Sequence, residues 1–109
     1  MNKKQMSEQD IRTKYITPAI LAAGWDRDLQ IREEVFFTKG KITVRRKIVK
    51  RGEQKRADYI LYWKPNIPLA IVEAKDNNHN IADGMEQALN YAEILDIPFV
   101  FTSNGDGFS

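Results

Sequence analysis

Ser7 and Asp10 have the spacing of a capping box, and Ile11, Tyr15, Ala19 and Ala22, with Ile16, Ile20 and Ala23 beside them, recur at helical intervals until Gly24. This predicts a first helix from Ser7 to Ala23, with a kink or early break at Pro18, which has no N–H to donate. Leu29 to Phe37 alternates as a strand, with Leu29, Ile31, Glu33 and Val35 on one face and Gln30, Arg32, Glu34 and Phe36 on the other. Ile42 to Val49 extends it as a hairpin partner, and its density of Arg and Lys marks an edge strand or a loop. Ala57 to Trp63 and Pro68 to Ala74 are apolar runs parted by the turn signal Lys64-Pro65-Asn66, and together predict a hairpin. Asn77 and Asn78 offer a cap for a second helix, Ile81 to Leu95, with the stripe Ile81, Met85, Ala88, Leu89, Ala92 and Leu95. Ile97 to Thr102 then reads as a short strand, closed by Asn104-Gly105-Asp106-Gly107.

Helix, three or four strands, helix, strand is the order of a mixed α/β domain with a central sheet. At 109 residues the chain has the length of one domain, and 42% hydrophobic with 29% charged residues suits a globular fold in water. The chain stops just after its last strand, as expected of a fragment of a longer protein. No apolar run approaches the roughly 20 residues of a membrane span, and the polar start lacks a signal peptide's apolar stretch, so the expected compartment is the cytoplasm.

Cysteine is absent and histidine occurs once, which excludes disulfides, thiolate catalysis, cysteine zinc sites and all-histidine metal sites. Any metal must be held by oxygen. His79 reads as a solvated loop residue rather than a ligand. Net charge is only +2, but Lys39, Lys41, Arg45, Arg46, Lys47, Lys50, Arg51, Lys55 and Arg56 are concentrated in one stretch with Glu53 as its one acid. That stretch is a candidate phosphate-contacting surface or, equally, a solvated loop.

A symmetric turn between Pro65 and Asn66 sets Asp58 opposite Glu73, and directly opposed residues have Cβ atoms about 5 Å apart. Glu73 and Lys75, two apart, project to the same side of their strand. Two carboxylates at that distance repel by roughly 3 kcal/mol at an effective dielectric near 20, and a divalent cation would remove the penalty. Oxygen donors suit Mg²⁺ or Mn²⁺, which would activate water and polarise a phosphate while Lys75 orients the water or stabilises developing charge. The plainer reading is a same-face ion pair between Glu73 and Lys75 that catalyses nothing. Against it, both follow the apolar run Leu69-Ala70-Ile71-Val72, where a structural strand has no need of charge.

Ala57-Asp58, fourteen intervening residues and Glu73-Ala74-Lys75 resemble the PD-(D/E)XK nuclease motif, with Ala in place of the nominal Pro before Asp58. Gln87-Ala88-Leu89-Asn90-Tyr91 resembles the Gln-x-x-x-Tyr motif of one branch of that class. Nearly the whole chain resembles the N-terminal nuclease domain of the R subunit of type I restriction enzymes. The segments that carry this are Ser7-Glu8 with Arg12, Ala22-Ala23-Gly24-Trp25, Lys55-Arg56-Ala57-Asp58-Tyr59, Ile71-Val72-Glu73-Ala74-Lys75, Gln87 with Asn90-Tyr91-Ala92, and Thr102-Ser103-Asn104-Gly105.

The resemblance implies a single nuclease domain over 1–109 with a restriction-endonuclease-like mixed sheet of four to five strands flanked by helices. It implies hydrolysis of DNA phosphodiester bonds with Mg²⁺ held by Asp58, Glu73 and the Ala74 carbonyl, with Mn²⁺ as a substitute and Lys75 as a catalytic group. Gln87 and Tyr91 would support the site or the DNA backbone, although on residues alone an ordinary polar helix flank with Tyr91 half buried is the preferred reading. Glu8 would be an auxiliary acid, or else a solvated or capping residue. The implied partners are double-stranded DNA and the methylation and specificity subunits of a restriction complex. ATP would serve only translocase domains outside this chain, since no Gly-x-x-x-x-Gly-Lys loop occurs. The alternatives are a DNA-binding module without catalysis and a subunit-docking domain.

Overall fold

The computed structural model describes residues 6–38, 41–43, 54–76 and 81–105, of which 41–43 and 81–83 are described as backbone only. The N-terminal arm is helical from end to end but changes pitch: α1 (Glu8–Ile11), a π-helical turn (Arg12–Ile16) and α2 (Thr17–Ala22). Ser7 Oγ accepts the Asp10 N–H at 3.1 Å while Asp10 Oδ2 accepts the Ser7 N–H at 3.4 Å, which is the expected capping box. The break foreseen at Pro18 takes the form of the π-turn: the Thr17 N–H bonds back to the Arg12 carbonyl, five residues away, just before a proline that stands at the start of α2. The wider turn moves the buried face by one residue. Ile11, Ile16 and Ile20 are buried, whereas Tyr15, Ala19 and Ala22, expected on that stripe, are exposed.

Among the described residues five strands follow: β1 (Ile31–Thr38), β2 (Lys41–Thr43), β3 (Lys55–Lys64), β4 (Ile67–Ala74) and, after α3 (Ile81–Leu95), β5 (Phe99–Ser103). They form one mixed sheet in the order β2-β1-β3-β4-β5, antiparallel throughout except for the parallel pair β4 and β5. Parallel neighbours need a crossover connection, and α3 supplies it. The sheet flanked by helices is the α/β fold expected from the pattern. β1 begins two residues later than expected, since Leu29 lies in a turn and is 66% exposed. Ile97 is buried but precedes β5, and Leu89, expected on the core stripe of α3, is exposed. The expected partner strand Ile42 to Val49 is described only through Thr43, and the proposed cap at Asn77 and Asn78, His79 and the Asp106-Gly107 turn lie outside the described residues.

The β3–β4 hairpin turns at Asn66, whose φ of 66° is the left-handed conformation that asparagine tolerates. Tyr59 faces Val72, Ile60 faces Ile71 and Leu61 faces Ala70, the register that a symmetric turn requires. Two cores result. Ile11, Ile16, Ile20, Ile31, Tyr59, Leu61 and Val72 pack under the helical arm, and Val35, Phe37, Ala57, Ile60, Ile71 and Ala92 pack under α3.

Ile31 and Val35 should share a face by alternation, as should Tyr59 and Ala57, yet each pair is divided between the two cores. The expected face therefore holds for Ile31 and Glu33, which both meet the helical arm, and fails at Val35. Both strands switch face at the opposed residues Glu34 and Asp58, and Glu34 has a φ of 51°, which is uncommon for a residue with a Cβ.

Candidate active site

β3 and β4 pair as far as Tyr59 and Val72 and then part, β3 remaining on β1 while β4 continues along β5 through Glu73–Thr102 and Ala74–Ser103. A fork between two central strands leaves backbone donors without ladder partners, and such donors are costly to bury unmet. Here two side chains meet them reciprocally. Glu73 Oε2 accepts the Asp58 N–H at 2.6 Å, and Asp58 Oδ2 accepts the Ala74 N–H at 2.8 Å. The acids are thus fixed on the backbone of the opposite strand, and both are buried, Glu73 to 1% exposure.

Burial, and next the facing charge of Asp58, push the Glu73 carboxyl up to about 8, against the pull of the Asp58 N–H, the Gln87 amide and the Lys75 charge. Gln87 reaches in from α3, donating to Glu73 Oε1 at 3.1 Å and lying 3.0 Å from the Tyr91 hydroxyl, which accepts from the same amide. Tyr91 is itself raised, first by burial and then by the fields of Glu73 and Asp58. Its ring meets Phe37 edge to face at 5.0 Å, which ties the pair to the core. Lys75 continues β4 on the Glu73 side, and its N–H donates to the Ser103 carbonyl at 2.9 Å, so the segment Thr102–Gly105 closes the same end of the sheet.

Asp58, Glu73, Ala74, Lys75, Gln87 and Tyr91 therefore converge at one fork. Among the described residues no third acid joins Asp58 and Glu73, Glu8 included, and no group of three or more His, Cys, Asp or Glu is arranged as a metal cage. Glu8 occupies the first turn of α1, where an acid complements the helix dipole. Arg45, Arg46, Lys47, Lys50 and Arg51 lie outside the described residues. Lys55 and Arg56 begin β3, and the half-exposed Arg56 reaches Asp58 Oδ1 at 3.5 Å and Glu34 Oε1 at 3.4 Å.

Sequence reasoning assigned no role to Arg12, Glu33 and Glu34 in the chemistry of the site, yet the three continue this charge network. Arg12 is buried with its guanidinium 3.1 Å from Glu33 and 3.3 Å from Glu34, and it lies 5.1 Å over the Tyr59 ring. Burial works to lower its pKa, but the Tyr59 hydrogen bond and the Asp58 field outweigh this and raise it, so it stays charged. With Gln9, Thr13, Thr17 and Arg27 these residues line a polar pocket of about 350 Å³ beside the fork. The available signal was an arginine inside an apolar helical stretch and two adjacent acids in one strand.

The donor set fits a hard divalent cation. Mg²⁺ is characteristically held by one or two carboxylates, with water and substrate oxygens completing its shell, and Asp58 and Glu73 offer two carboxyl groups held in place by backbone donors at 2.8 and 2.6 Å. An apolar groove of about 380 Å³, walled by Ala19, Trp25, Leu69, Phe99 and Phe101, lies on the opposite sheet face and offers no such chemistry.

Residues 29–109 match the family described as type I restriction enzyme R protein N terminus. The chain belongs to this family. It is 54% identical over 108 residues to a type I restriction enzyme EcoAI endonuclease subunit of Escherichia coli, covering 99% of this chain and 13% of that relative. It also resembles a solved fragment described as an HsdR subunit of a type I restriction enzyme from Vibrio vulnificus, with a TM-score of 0.76 and 40% identity, over 94% of this chain and 20% of the other. The R-protein N-terminal region seen here thus spans about an eighth of the curated relative's length. Among the described residues no helix is long and apolar enough to cross a membrane.

Proposed function

We propose that this chain is a metal-dependent endodeoxyribonuclease domain of the PD-(D/E)XK class, acting as the cutting module of a cytoplasmic type I restriction R subunit. The observation that carries the reading is the fork at Asp58 and Glu73, where two buried acids are locked on opposite backbones and one is pushed up to about 8. A structural clamp needs hydrogen bonds but not a second acid, whereas a carboxyl kept protonated beside Asp58 until a cation displaces its proton is what a cation site requires.

Asp58, Glu73 and the Ala74 carbonyl would hold Mg²⁺, or Mn²⁺ in its place. Bound there, the cation supplies Lewis-acid stabilisation of phosphate charge and favours ionised water. The chain's own groups do the rest. Gln87 fixes the orientation of Glu73 Oε1, and Tyr91 fixes the Gln87 amide. Lys75 would bring an ammonium beside the reacting phosphate, orienting the attacking water or neutralising developing charge. Arg56, held between Glu34 and Asp58, would exchange an acid for a DNA phosphate when duplex enters, together with the basic residues from Arg45 to Lys55. Double-stranded DNA and the methylation and specificity subunits are the proposed partners, with ATP used only by motor domains outside this chain.

Mn²⁺ calorimetry and thermal melts of the wild type beside Asp58→Ala and Glu73→Ala test the reading, because ligation stabilises the fold by mass action whether or not DNA is cut. Binding that both variants abolish supports it. Absence of binding with and without a short duplex would overturn it and favour a docking domain, while salt-sensitive DNA binding without metal would favour a non-catalytic DNA-binding module.

A further inference from the structure

Gly84 stands in the first turn of α3, where alanine would hold a helix better, and it is buried. Its φ does not account for it, since among the described residues the glycines with positive φ are Gly24 and Gly105. Space does. A Cβ built on Gly84 would lie 2.7 Å from Lys75 Cγ, 2.8 Å from Cε and 3.2 Å from Cδ, so the lysine stem runs across the bare Cα of the helix. Ordinary Cβ contacts begin near 3.4 Å, and the stem would have to retreat by about 0.7 Å at its tightest point. All three nearest atoms belong to Lys75, none to backbone. A side chain at position 84 would therefore displace a flexible lysine rather than the sheet.

We propose that Gly84 is a positioning residue for Lys75: its missing side chain forms the slot on α3 that directs the lysine stem along the fork toward Glu73. The part of this concerning cleavage rests on the nuclease reading, whereas the placement of Lys75 does not. The helix contributes twice to the same acid, since Gln87, less than one turn beyond Gly84, bonds Glu73 directly.

The test compares the full chain with Gly84→Ala, Lys75→Ala and the double variant. In lysine-labelled protein the Cε–Hε resonance of Lys75, assigned by its loss in Lys75→Ala, should move in Gly84→Ala while other lysine signals stay. The melting temperature should gain more from Gly84→Ala in the Lys75→Ala background than in wild type, because only there is the new methyl unopposed. Under the nuclease reading, Gly84→Ala lowers the cleavage rate about 10- to 100-fold, as a displacement on the order of 1 Å can. It leaves Mn²⁺ affinity within about twofold and adds nothing to the defect of Lys75→Ala. An unmoved Lys75 resonance, or equal effects on melting in both backgrounds, overturns the proposal. If the wild type cuts no DNA, the Mn²⁺ binding test still decides the nuclease reading, and the resonance and melting comparisons decide the role of Gly84.

Discussion

Glu73→Gln should make the metal-free protein more stable and metal-insensitive at once. The Glu73 carboxyl, ordinarily at 4.5, is pushed up to about 8 in the fold. Between those values the folded chain keeps a proton that the unfolded chain has lost, so the contribution of Glu73 to stability is full below about pH 4.5, falls as pH rises through about 8, and is level beyond. The whole shift corresponds to an upper limit of roughly 5 kcal/mol. Repulsion from Asp58 alone, at about 5 Å and an effective dielectric near 20, accounts for roughly 3 kcal/mol. Glutamine keeps the volume and one acceptor for the Asp58 N–H, but its amide meets the Gln87 amide, and that lost hydrogen bond costs about 1 kcal/mol. The net gain at pH 8.5 should be about 2–4 kcal/mol, a rise in melting temperature on the order of 10 °C for a domain of this size. At pH 5, where the wild-type acid is protonated, the gain should vanish. Melts in EDTA from pH 5 to 9, repeated with millimolar Mn²⁺, read both effects. A glutamine variant no more stable than wild type at pH 8.5, or equally favoured at pH 5, would refute the electrostatic account of the fork.

Tyr91→Phe keeps the edge contact with Phe37 but removes the oxygen that accepts the Gln87 amide; urea unfolding should change by less than about 1 kcal/mol while Mn²⁺ affinity drops about 10-fold, and unaltered affinity would remove Tyr91 from the site. Arg12→Ala should cost about 3 kcal/mol, at the low end for a buried ion pair because Glu33 and Glu34 remain partly hydrated. Arg12→Lys should recover less than half of it, since an ammonium cannot span both acids, and a loss below 1 kcal/mol in the alanine variant would contradict the assigned burial. Ser7→Ala removes the Oγ that accepts the Asp10 N–H and should lower stability by about 1 kcal/mol in denaturant unfolding, with Mn²⁺ binding untouched.

Much of this was legible because it is local. The capping box at Ser7 and Asp10, the turn at Pro65-Asn66 and the full extent of α3 follow from near-neighbour chemistry that the sequence states directly. From the hairpin came the most consequential inference, that the turn brings Asp58 and Glu73 together: the expected register holds from Leu61 to Tyr59 despite irregular pairing at Tyr62, and just beyond it the acids meet across the fork rather than as a strand pair. The resemblance of the motifs around Asp58, Glu73 and Gln87 added their proposed roles, and the fold brings those residues to one place.

What the sequence by itself determined, then, is the set of elements and the nearness of Asp58 and Glu73 at the end of the hairpin, because periodicity and turn chemistry act over a few residues. Tertiary structure alone decided the rest. The π-turn replaces Tyr15 by Ile16 on the buried face, since the wider pitch changes which side chains share a face. The switch of face at Glu34 and Asp58 needs two strands to reverse together, which no single strand's alternation records. Arg12 is buried because Glu33, Glu34 and Tyr59, distant in sequence, surround its charge. The fork itself exists because β3 stays with β1 while β4 pairs in parallel with β5, and only that divergence leaves the two backbone N–H groups for the carboxylates to hold.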